Sequence, residues 1–93
     1  MIKSFKDKET EKLFNRNCSK KLPQNLHHLA RRNLVMLDAA PELNAFRIPP
    51  VNRLDAFTGG RKGQHSLRIN DQWRVCFRWK TGDAYDVEIA DYH

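Results

Sequence analysis

The sequence predicts an α+β domain with two layers, in which an N-terminal strand and two helices cover one face of a mostly antiparallel sheet. Two observations support this fold class. Apolar residues recur with helical spacing in the first half of the chain, whereas apolar and polar residues alternate in the second half. Because 93 residues can bury one modest core, we expect a single domain over residues 1–93.

The first two elements are short. Met1–Phe5 is predicted to be an edge strand or a frayed start, in which Ile2 and Phe5 are the apolar residues near the N-terminus. Asp7 can cap a helix that runs to about Asn15, because an aspartate side chain accepts hydrogen bonds from the free N–H groups of a first helical turn.

A second helix is predicted from Pro23 to about Ala40. Proline suits the first turn of a helix, where its missing N–H removes no hydrogen bond. The apolar stripe that should face the sheet consists of Leu22, Leu26, Leu29, Ala30, Leu37 and Ala40, with Met36 beside it. His27 and His28 are adjacent and cannot bind one metal ion from a single helix face, so we expect no metal site and no cofactor.

Residues Gln64–Lys80 form the clearest pattern in the chain, two alternating runs joined by the turn-forming pair Asn70-Asp71. Successive side chains of a strand point to opposite faces of the sheet. The face that packs against the helices should carry His65, Leu67, Ile69, Trp73, Val75, Phe77 and Trp79. The other face should stay open and cationic, because it carries Arg68, Arg74 and Arg78.

Two further strands complete a predicted four-strand meander. Asn52–Phe57 alternates, and Ala84–Ala90 alternates with Tyr85, Val87 and Ile89 inward. The same alternation places Tyr92 on the cationic side. The segment Glu42–Val51 is predicted to be a link, because its two consecutive prolines exclude a helix and a central strand.

Other polar residues should join the cationic face. If Leu54 points into the core, Arg53 and Asp55 lie on the opposite side of their strand. The glycine-rich loop that follows this strand presents Arg61 and Lys62 next to the same face. The sequence therefore predicts one surface on which guanidinium groups, a carboxylate and a phenol are gathered.

Charge is distributed unevenly along the chain. The net charge is +6, but residues 1–80 hold all 17 Lys and Arg with 7 acidic residues, whereas the last 13 residues hold 4 acidic residues and no Lys or Arg. A basic body favours a polyanionic partner such as RNA, DNA or an acidic protein. A basic surface without a specific anionic partner is the alternative.

The sequence has no features of a secreted or membrane protein. Cys18 and Cys76 are too few for a disulfide framework and lack the spacing of a metal site. No apolar run approaches the length of a membrane span, and the N-terminus does not resemble a signal peptide. We therefore expect a cytoplasmic protein that does not associate with membranes.

The predicted cationic face suits metal-free cleavage of RNA. Arginine can hold a phosphate with two hydrogen bonds and stabilise charge that develops on it. Histidine and aspartate can transfer protons, and the ribose 2′-hydroxyl could attack the neighbouring phosphate. A passive phosphate-binding surface or a solvated face explains the same residues equally well from their chemistry alone.

Seven short motifs resemble one known family. M-I-K-S-F at Met1–Phe5, G-x-R-x-G at Gly59–Gly63, N-x-x-W-R at Asn70–Arg74 and the closing D-Y-H at Asp91–His93 are similar to the HigB toxins of the RelE-like superfamily. L-D-A-A from Leu37, P-P-x-N-R-L at Pro49–Leu54 and Q-H-S-x-R-x-N-D-Q-W-R at Gln64–Arg74 resemble its GraT-type branch. The resemblance covers essentially the whole chain.

The resemblance implies a RelE-like toxin of a type II toxin–antitoxin system that cleaves mRNA on the ribosome. It implies a helix-turn-helix antitoxin of the HigA type, and repression of the operon when the toxin–antitoxin complex binds operator DNA. By position, the resemblance implies that Asp91, Tyr92 and His93 form the catalytic cluster and that Arg61 and Arg74 are associated with the substrate phosphate. With the residues of the predicted cationic face, the expected catalytic residues are Asp55, Arg74, Asp91, Tyr92 and His93. The predicted cationic face and its adjoining loop, together with the resemblance at Arg61, give the expected RNA-phosphate contacts: Arg53, Arg61, Lys62, Arg68 and Arg78.

One position departs from the pattern of the resemblance. Many HigB toxins carry a histidine where this chain has Asp55, and a carboxylate there places negative charge near RNA phosphate. A toxin that cleaves weakly, or that binds the ribosome or disturbs its biogenesis without cleaving, is therefore one alternative. A basic module that acts mainly as an RNA-binding or antitoxin-bound regulator is another.

Overall fold

The computed structural model describes residues 1–17, 19–42 and 64–91, together with the backbone of residues 54–56. The elements are α1 (Lys8–Phe14), a 3₁₀ turn (Gln24–Leu26), α2 (His27–Ala39), β1 (Leu54–Ala56), β2 (Gln64–Arg68), β3 (Trp73–Lys80) and β4 (Asp83–Asp91). Both predicted helices and the predicted hairpin are confirmed. None of the helices in these ranges is long and apolar enough to cross a bilayer.

Helix α1 has well-defined signals at both ends. The Asp7 carboxylate accepts a hydrogen bond of 2.7 Å from the Thr10 N–H, as the sequence predicts for an N-cap. At the other end Arg16 takes a left-handed conformation with φ 66°, and the Asn17 N–H donates to the Lys12 carbonyl over 2.7 Å. Together these contacts satisfy backbone groups that a seven-residue helix would otherwise leave free.

Helix α2 packs one apolar stripe on the sheet, but the residues that form this stripe are not all the predicted ones. Leu26, Ala30 and Leu37 are buried as expected. Leu34, which the prediction omitted, is fully buried, whereas Leu29 is 38% exposed. Residues spaced by three or four lie on one face of a helix, and the centre of this face runs through position 34, so that position 29 lies at its edge.

The strands lie in the order β1-β2-β3-β4, and each pairs antiparallel with its neighbour. The N-terminal segment runs parallel to β4 through two isolated bridges, Ile2 with Ala84 and Phe5 with Val87. This segment is therefore at the outer edge of β4, as predicted for Met1–Phe5, but it is too irregular to form a continuous strand. The helices cover one face of the sheet.

The core lies between the helices and the sheet. Leu67, Val75 and Phe77 are almost completely buried, and all three alternate as the hairpin pattern predicts. They pack in one cluster with Leu13 and the apolar stripe of α2, and the partly buried Trp73 and Trp79 border it. The predicted inward face of the hairpin is confirmed.

A β-bulge in β4 changes the direction of one predicted core residue. Cys76 pairs with Glu88, but Arg78 pairs with Tyr85, so β4 has one more residue than β3 between these two pairs. The additional residue lies at the left-handed Asp86, with φ 53°. As a result Ala84 is fully buried and Tyr85, across from Arg78, lies on the opposite face. The prediction that Tyr85 points inward is therefore wrong.

Candidate functional site

The register of β2 and β3 brings the predicted arginines together on the face that is turned away from the helices. Arg68 lies directly across from Arg74, and Gln64 lies directly across from Arg78. Directly opposed residues of antiparallel strands have Cβ atoms about 5 Å apart. The arginine face, defined as Arg68, Arg74 and Arg78, thus contains two guanidinium side chains that start from neighbouring positions.

Arg74 is the best-anchored member of the arginine face. It is half-buried, and its Nη1 donates a hydrogen bond of 3.3 Å to the Ser66 hydroxyl on β2. Ser66 is itself buried at 2% exposure. A guanidinium group fixed by a buried partner loses little conformational freedom when it binds an anion, which is the property that a charge-stabilising catalytic group needs.

Arg68 is held through both its side chain and its backbone. Its guanidinium forms an ion pair with the exposed Asp71 in the turn before β3. Its carbonyl accepts a hydrogen bond of 3.1 Å from the amide of Asn33, a buried residue of α2. The helix layer thereby fixes the end of β2 from which Arg68 projects, and the exposed ion pair is weak enough to yield to a phosphate.

The centre of the arginine face is less open than the alternation predicts. Ser66 and Cys76 face each other there, and their exposures are only 2% and 6%. Arg78 is exposed, with 58% of its side-chain surface accessible, and Arg68 and Arg74 are half-buried. The expectation of a wholly open face is therefore wrong at its centre. Cys76 is a free, buried thiol.

Acidic residues also lie next to this surface, and each is near a cation. Asp86 is 4.0 Å from Arg78, and Glu88, which pairs with Cys76 in the sheet, is 3.6 Å from the Nζ of Lys6. These are ion pairs at the protein surface, which stabilise the fold by less than about 1 kcal/mol each. They reduce the local positive charge without blocking the guanidinium groups.

Asp91 is placed by the turn that connects β2 and β3. The Asn70 side chain accepts hydrogen bonds from the N–H groups of Gln72 and Trp73, at 2.9 and 2.8 Å. The ordered turn then lets the Gln72 amide donate to the Asp91 carboxylate over 3.0 Å. Asp91 pairs with Trp73, one position from Arg74, so it lies at the same end of the sheet but on the side that carries Trp73.

The remaining predicted site residues are placed only in part. Asp55 belongs to β1, where its backbone pairs with that of Ser66, the residue that anchors Arg74. The other predicted residues lie outside the described residues: Arg53, Arg61, Lys62, Tyr92 and His93. Within the described ranges, no group of three or more His, Cys, Asp or Glu side chains could hold a metal ion.

Two residues near the site could not be identified by alternation. Tyr85 reaches the side of Arg78 because of the bulge, and Gln72 binds Asp91 because of the turn. The only signal for the bulge is Asp86, since aspartate tolerates left-handed conformations better than most residues. Nothing in the sequence predicts the contact between Gln72 and Asp91, because it joins residues that are distant in the chain.

His65 belongs to the core side and not to the site. Its ring stacks on Phe77 with the centroids 5.9 Å apart, on the face opposite the arginines. Burial lowers the pKa of His65, because desolvation disfavours the charged imidazolium. This histidine therefore does not replace the one expected at the position of Asp55.

Comparison with known proteins finds similarity to HigB toxins over nearly the whole chain. A family model described as the RelE-like toxin of type II toxin–antitoxin system HigB matches residues 3–93. Toxin HigB-1 of Vibrio cholerae serotype O1 is 38% identical over 90 residues, which cover 96% of this chain and 95% of that protein. Endoribonuclease HigB of Proteus vulgaris is 31% identical over 93 residues, which cover 100% of this chain and 100% of that protein.

Solved structures show the same fold at low sequence identity. A histidine-to-glutamine mutant of YafQ from E. coli has a TM-score of 0.60, and YafQ from E. coli strain BL21(DE3) has one of 0.55. Both are 11% identical to this chain, and each comparison covers 98% of this chain and 93% of YafQ. The family match and the two relatives confirm the resemblance inferred from the motifs, and this chain belongs to the HigB-like family of RelE-like toxins of type II toxin–antitoxin systems.

Proposed function

We propose that this chain inhibits translation by cleaving mRNA on the ribosome, without a metal ion. The observation that carries the proposal is the register that sets Arg68 directly across from Arg74 on the face turned away from the helices. Two neighbouring guanidinium groups suit the geometry and charge of a phosphate. Family membership and the name of the Proteus vulgaris relative, an endoribonuclease, support the same function.

The proposed reaction is attack of a ribose 2′-hydroxyl on the adjacent phosphate. The bond from the 2′-oxygen to phosphorus forms, the bond from phosphorus to the 5′-oxygen breaks, and the products end in a 2′,3′-cyclic phosphate and a 5′-hydroxyl. A base takes the proton of the 2′-hydroxyl, and an acid gives one to the leaving 5′-oxygen. Arg74 stabilises the negative charge that develops on the phosphate oxygens.

Proton transfer is assigned to the end of the chain. In the proposal Tyr92 and His93 position and protonate the leaving group, and Asp91 orients them from its contact with Gln72. Histidine is the usual proton carrier near neutral pH. Asp55 takes the position of the family histidine on β1, next to the Ser66 that anchors Arg74.

Several partners follow from the proposal. A type II toxin has an antitoxin partner, and we propose one of the HigA helix-turn-helix type that represses the operon together with the toxin. The ribosome and mRNA are the proposed cytoplasmic targets, contacted through Arg53, Arg61, Lys62 and Arg78. Because these contacts are to phosphates, association with ribosomes should weaken steeply as salt is raised.

Primer extension on ribosome-bound mRNA tests the reaction. Arg74→Ala should lower cleavage by roughly 10²- to 10³-fold, the usual loss when one charge-stabilising donor is removed. Arg32→Ala is the matched control, because it removes the same charge from an exposed position on α2, and it should cleave like the wild type. A 2′-deoxy substitution at the cut site should abolish cleavage. Equal cleavage by Arg74→Ala and the wild type would contradict the role of the arginine face.

A second candidate is a toxin that binds the ribosome and blocks translation without cutting. The presence of Asp55 favours it, because its backbone pairs with that of Ser66, the anchor of Arg74, and an added negative charge on this strand opposes the approach of phosphate. This candidate predicts ribosome binding and growth arrest by the wild type with no primer-extension product. It also predicts that Arg74→Ala weakens ribosome binding, since blocking needs only the cationic surface.

A further inference from the structure

We infer that a cleft at the bulge of β4 binds one nucleotide of single-stranded RNA beyond the phosphate that is cut. The cleft has a volume of about 380 Å³ and is lined by Arg78, Trp79, Lys80, Tyr85 and Asp86. This volume is in the range of small-ligand sites. The inference rests on the proposed function, because it extends the RNA track of the arginine face.

The bulge creates the cleft. Without the additional residue in β4, regular alternation would direct Tyr85 into the core, where the structure places Ala84. The left-handed conformation at Asp86 shifts the register and sets Tyr85 across from Arg78. Bulges of this kind often redirect a side chain next to a functional site.

The side chains of the cleft suit a nucleotide. Tyr85 is half-buried, and neither its side chain nor that of the exposed Lys80 makes a hydrogen bond, an ion pair or a ring contact with the other described residues. A phenol ring can stack on any base, and an ammonium group can contact its phosphate. Trp79 also lines the cleft, and its ring packs edge-on against Phe77 on the helix side, with ring centroids 6.2 Å apart, which fixes this part of β3.

Arg78 and Asp86 form a weak ion pair at this end of the cleft, which a bound phosphate could break. The two side chains are 4.0 Å apart and more than half exposed, so water screens their attraction and a phosphate can take over the guanidinium. The Asp86 carboxylate repels phosphate, but it can accept a hydrogen bond from an amino group of a base. The cleft therefore offers a stacking surface, two cations and one acceptor.

The position of the cleft determines which nucleotide it holds. Arg78 and Arg74 are on the same face of β3 and four residues apart, a distance of about 13 Å along an extended strand. This exceeds the separation of neighbouring phosphates in RNA. The cleft thus takes a flanking nucleotide and not the scissile one, and it should matter more for long oligonucleotides than for short ones.

Fluorescence anisotropy with labelled 2′-O-methyl oligoadenylates tests the inference, because these probes bind but cannot be cleaved. The wild type should bind an octanucleotide more tightly than a trinucleotide. Tyr85→Leu should weaken octanucleotide binding by about 5- to 150-fold, the loss expected for one stacked base, and should barely affect the trinucleotide. Tyr85→Phe should bind like the wild type, because the ring is retained.

Two lysine substitutions that remove the same charge give a second, independent measurement. Lys80→Gln should lower the slope of log affinity against log salt by about 0.7, the value for one phosphate contact on a single strand. Lys20→Gln removes an exposed lysine before α2 and should leave the slope unchanged. Circular dichroism would check that each variant is folded.

The outcomes separate the inference from the proposed function. Loss of octanucleotide binding in Tyr85→Leu, in a protein that does not cleave mRNA, would support the cleft and reject the nuclease. Cleavage by the wild type with unchanged binding in Tyr85→Leu and Lys80→Gln would overturn the cleft alone. Absence of any octanucleotide binding by the wild type, or binding of only a protein partner at this surface, would also overturn it.

Discussion

The two faces of the sheet differ in what determines their structure. On the helix side, Val75 and Phe77 are buried against α1 and α2, and their positions follow alternation without exception. On the other side, the arginine face combines an anchored Arg74 with the exposed Arg78, and it surrounds a buried centre. The helix side is therefore packed within the chain, whereas the other side presents cationic side chains that the proposed function assigns to RNA phosphate.

This difference separates stability from function. Burial of apolar surface supplies most of the free energy of folding, so the helix side should govern the free energy of unfolding. Exposed ion pairs contribute little to stability, so substitutions on the arginine face should change the free energy of unfolding little, and the proposed function assigns these residues to RNA. Substitutions on the helix side should therefore mainly lower the free energy of unfolding, whereas substitutions on the arginine face should mainly lower activity.

The largest expected effect is on cleavage. Deleting Tyr92 and His93 should reduce mRNA cleavage by roughly 10²- to 10⁴-fold, because one placed proton-transfer group contributes about that factor. The fold should persist, since Ile89 is the last buried residue of β4. Primer extension measures the cleavage, and sedimentation with ribosomes should show nearly unchanged binding.

Asp55→His provides the complementary variant. It replaces a carboxylate by the imidazole expected at this position in many HigB toxins. Cleavage should rise, because the imidazole can carry a proton near neutral pH and the negative charge is removed. Undiminished cleavage by the truncated chain would rule out the chain end as the catalytic site. Cleavage that appears only in Asp55→His would assign the blocking function to the native protein.

The next effect is on stability and compares adjacent residues of β3. Phe77→Ala should lower the free energy of unfolding by about 3–5 kcal/mol, because it leaves a cavity in the core. Arg78→Ala should cost less than about 1 kcal/mol, since its ion pair with Asp86 is exposed. Denaturant titration of both variants measures the difference, and equal losses would mean that the two faces do not differ as described.

The smallest effect is a pH dependence that comes from the helix side. Burial lowers the pKa of His65 in the folded chain, so the unfolded chain binds a proton more readily. Stability should therefore fall as the pH drops below about 6.5, the ordinary pKa of histidine, and should level off below the lowered pKa. His65→Phe should remove this part of the pH dependence.

Urea titrations of the wild type and His65→Phe at about pH 7.5 and about pH 5.5 would measure the effect, because these two pH values lie on either side of the ordinary pKa of histidine. His28→Phe is a suitable control, because it makes the same substitution at an exposed position on α2. An equal loss of stability at low pH in the wild type and in His65→Phe would show that another group is responsible.

Local patterns in the sequence determined the helices, the hairpin and the faces of its residues. Asp7 caps α1 as predicted, and the alternation in β3 separates Phe77 from Arg78. These features depend on residues that are close in the chain, so composition and spacing are sufficient to find them. The same residues and motifs were sufficient to identify the family, which the comparisons confirm.

Only the tertiary structure decided how the strands meet. Alternation assumes that paired strands have equal numbers of residues, and the bulge at Asp86 breaks this rule between β3 and β4. It moves Tyr85 to the side of Arg78, and the turn after β2 brings Gln72 to Asp91. Both results come from pairing between distant segments, and the pattern of a single strand contains no information about the residue count of its partner.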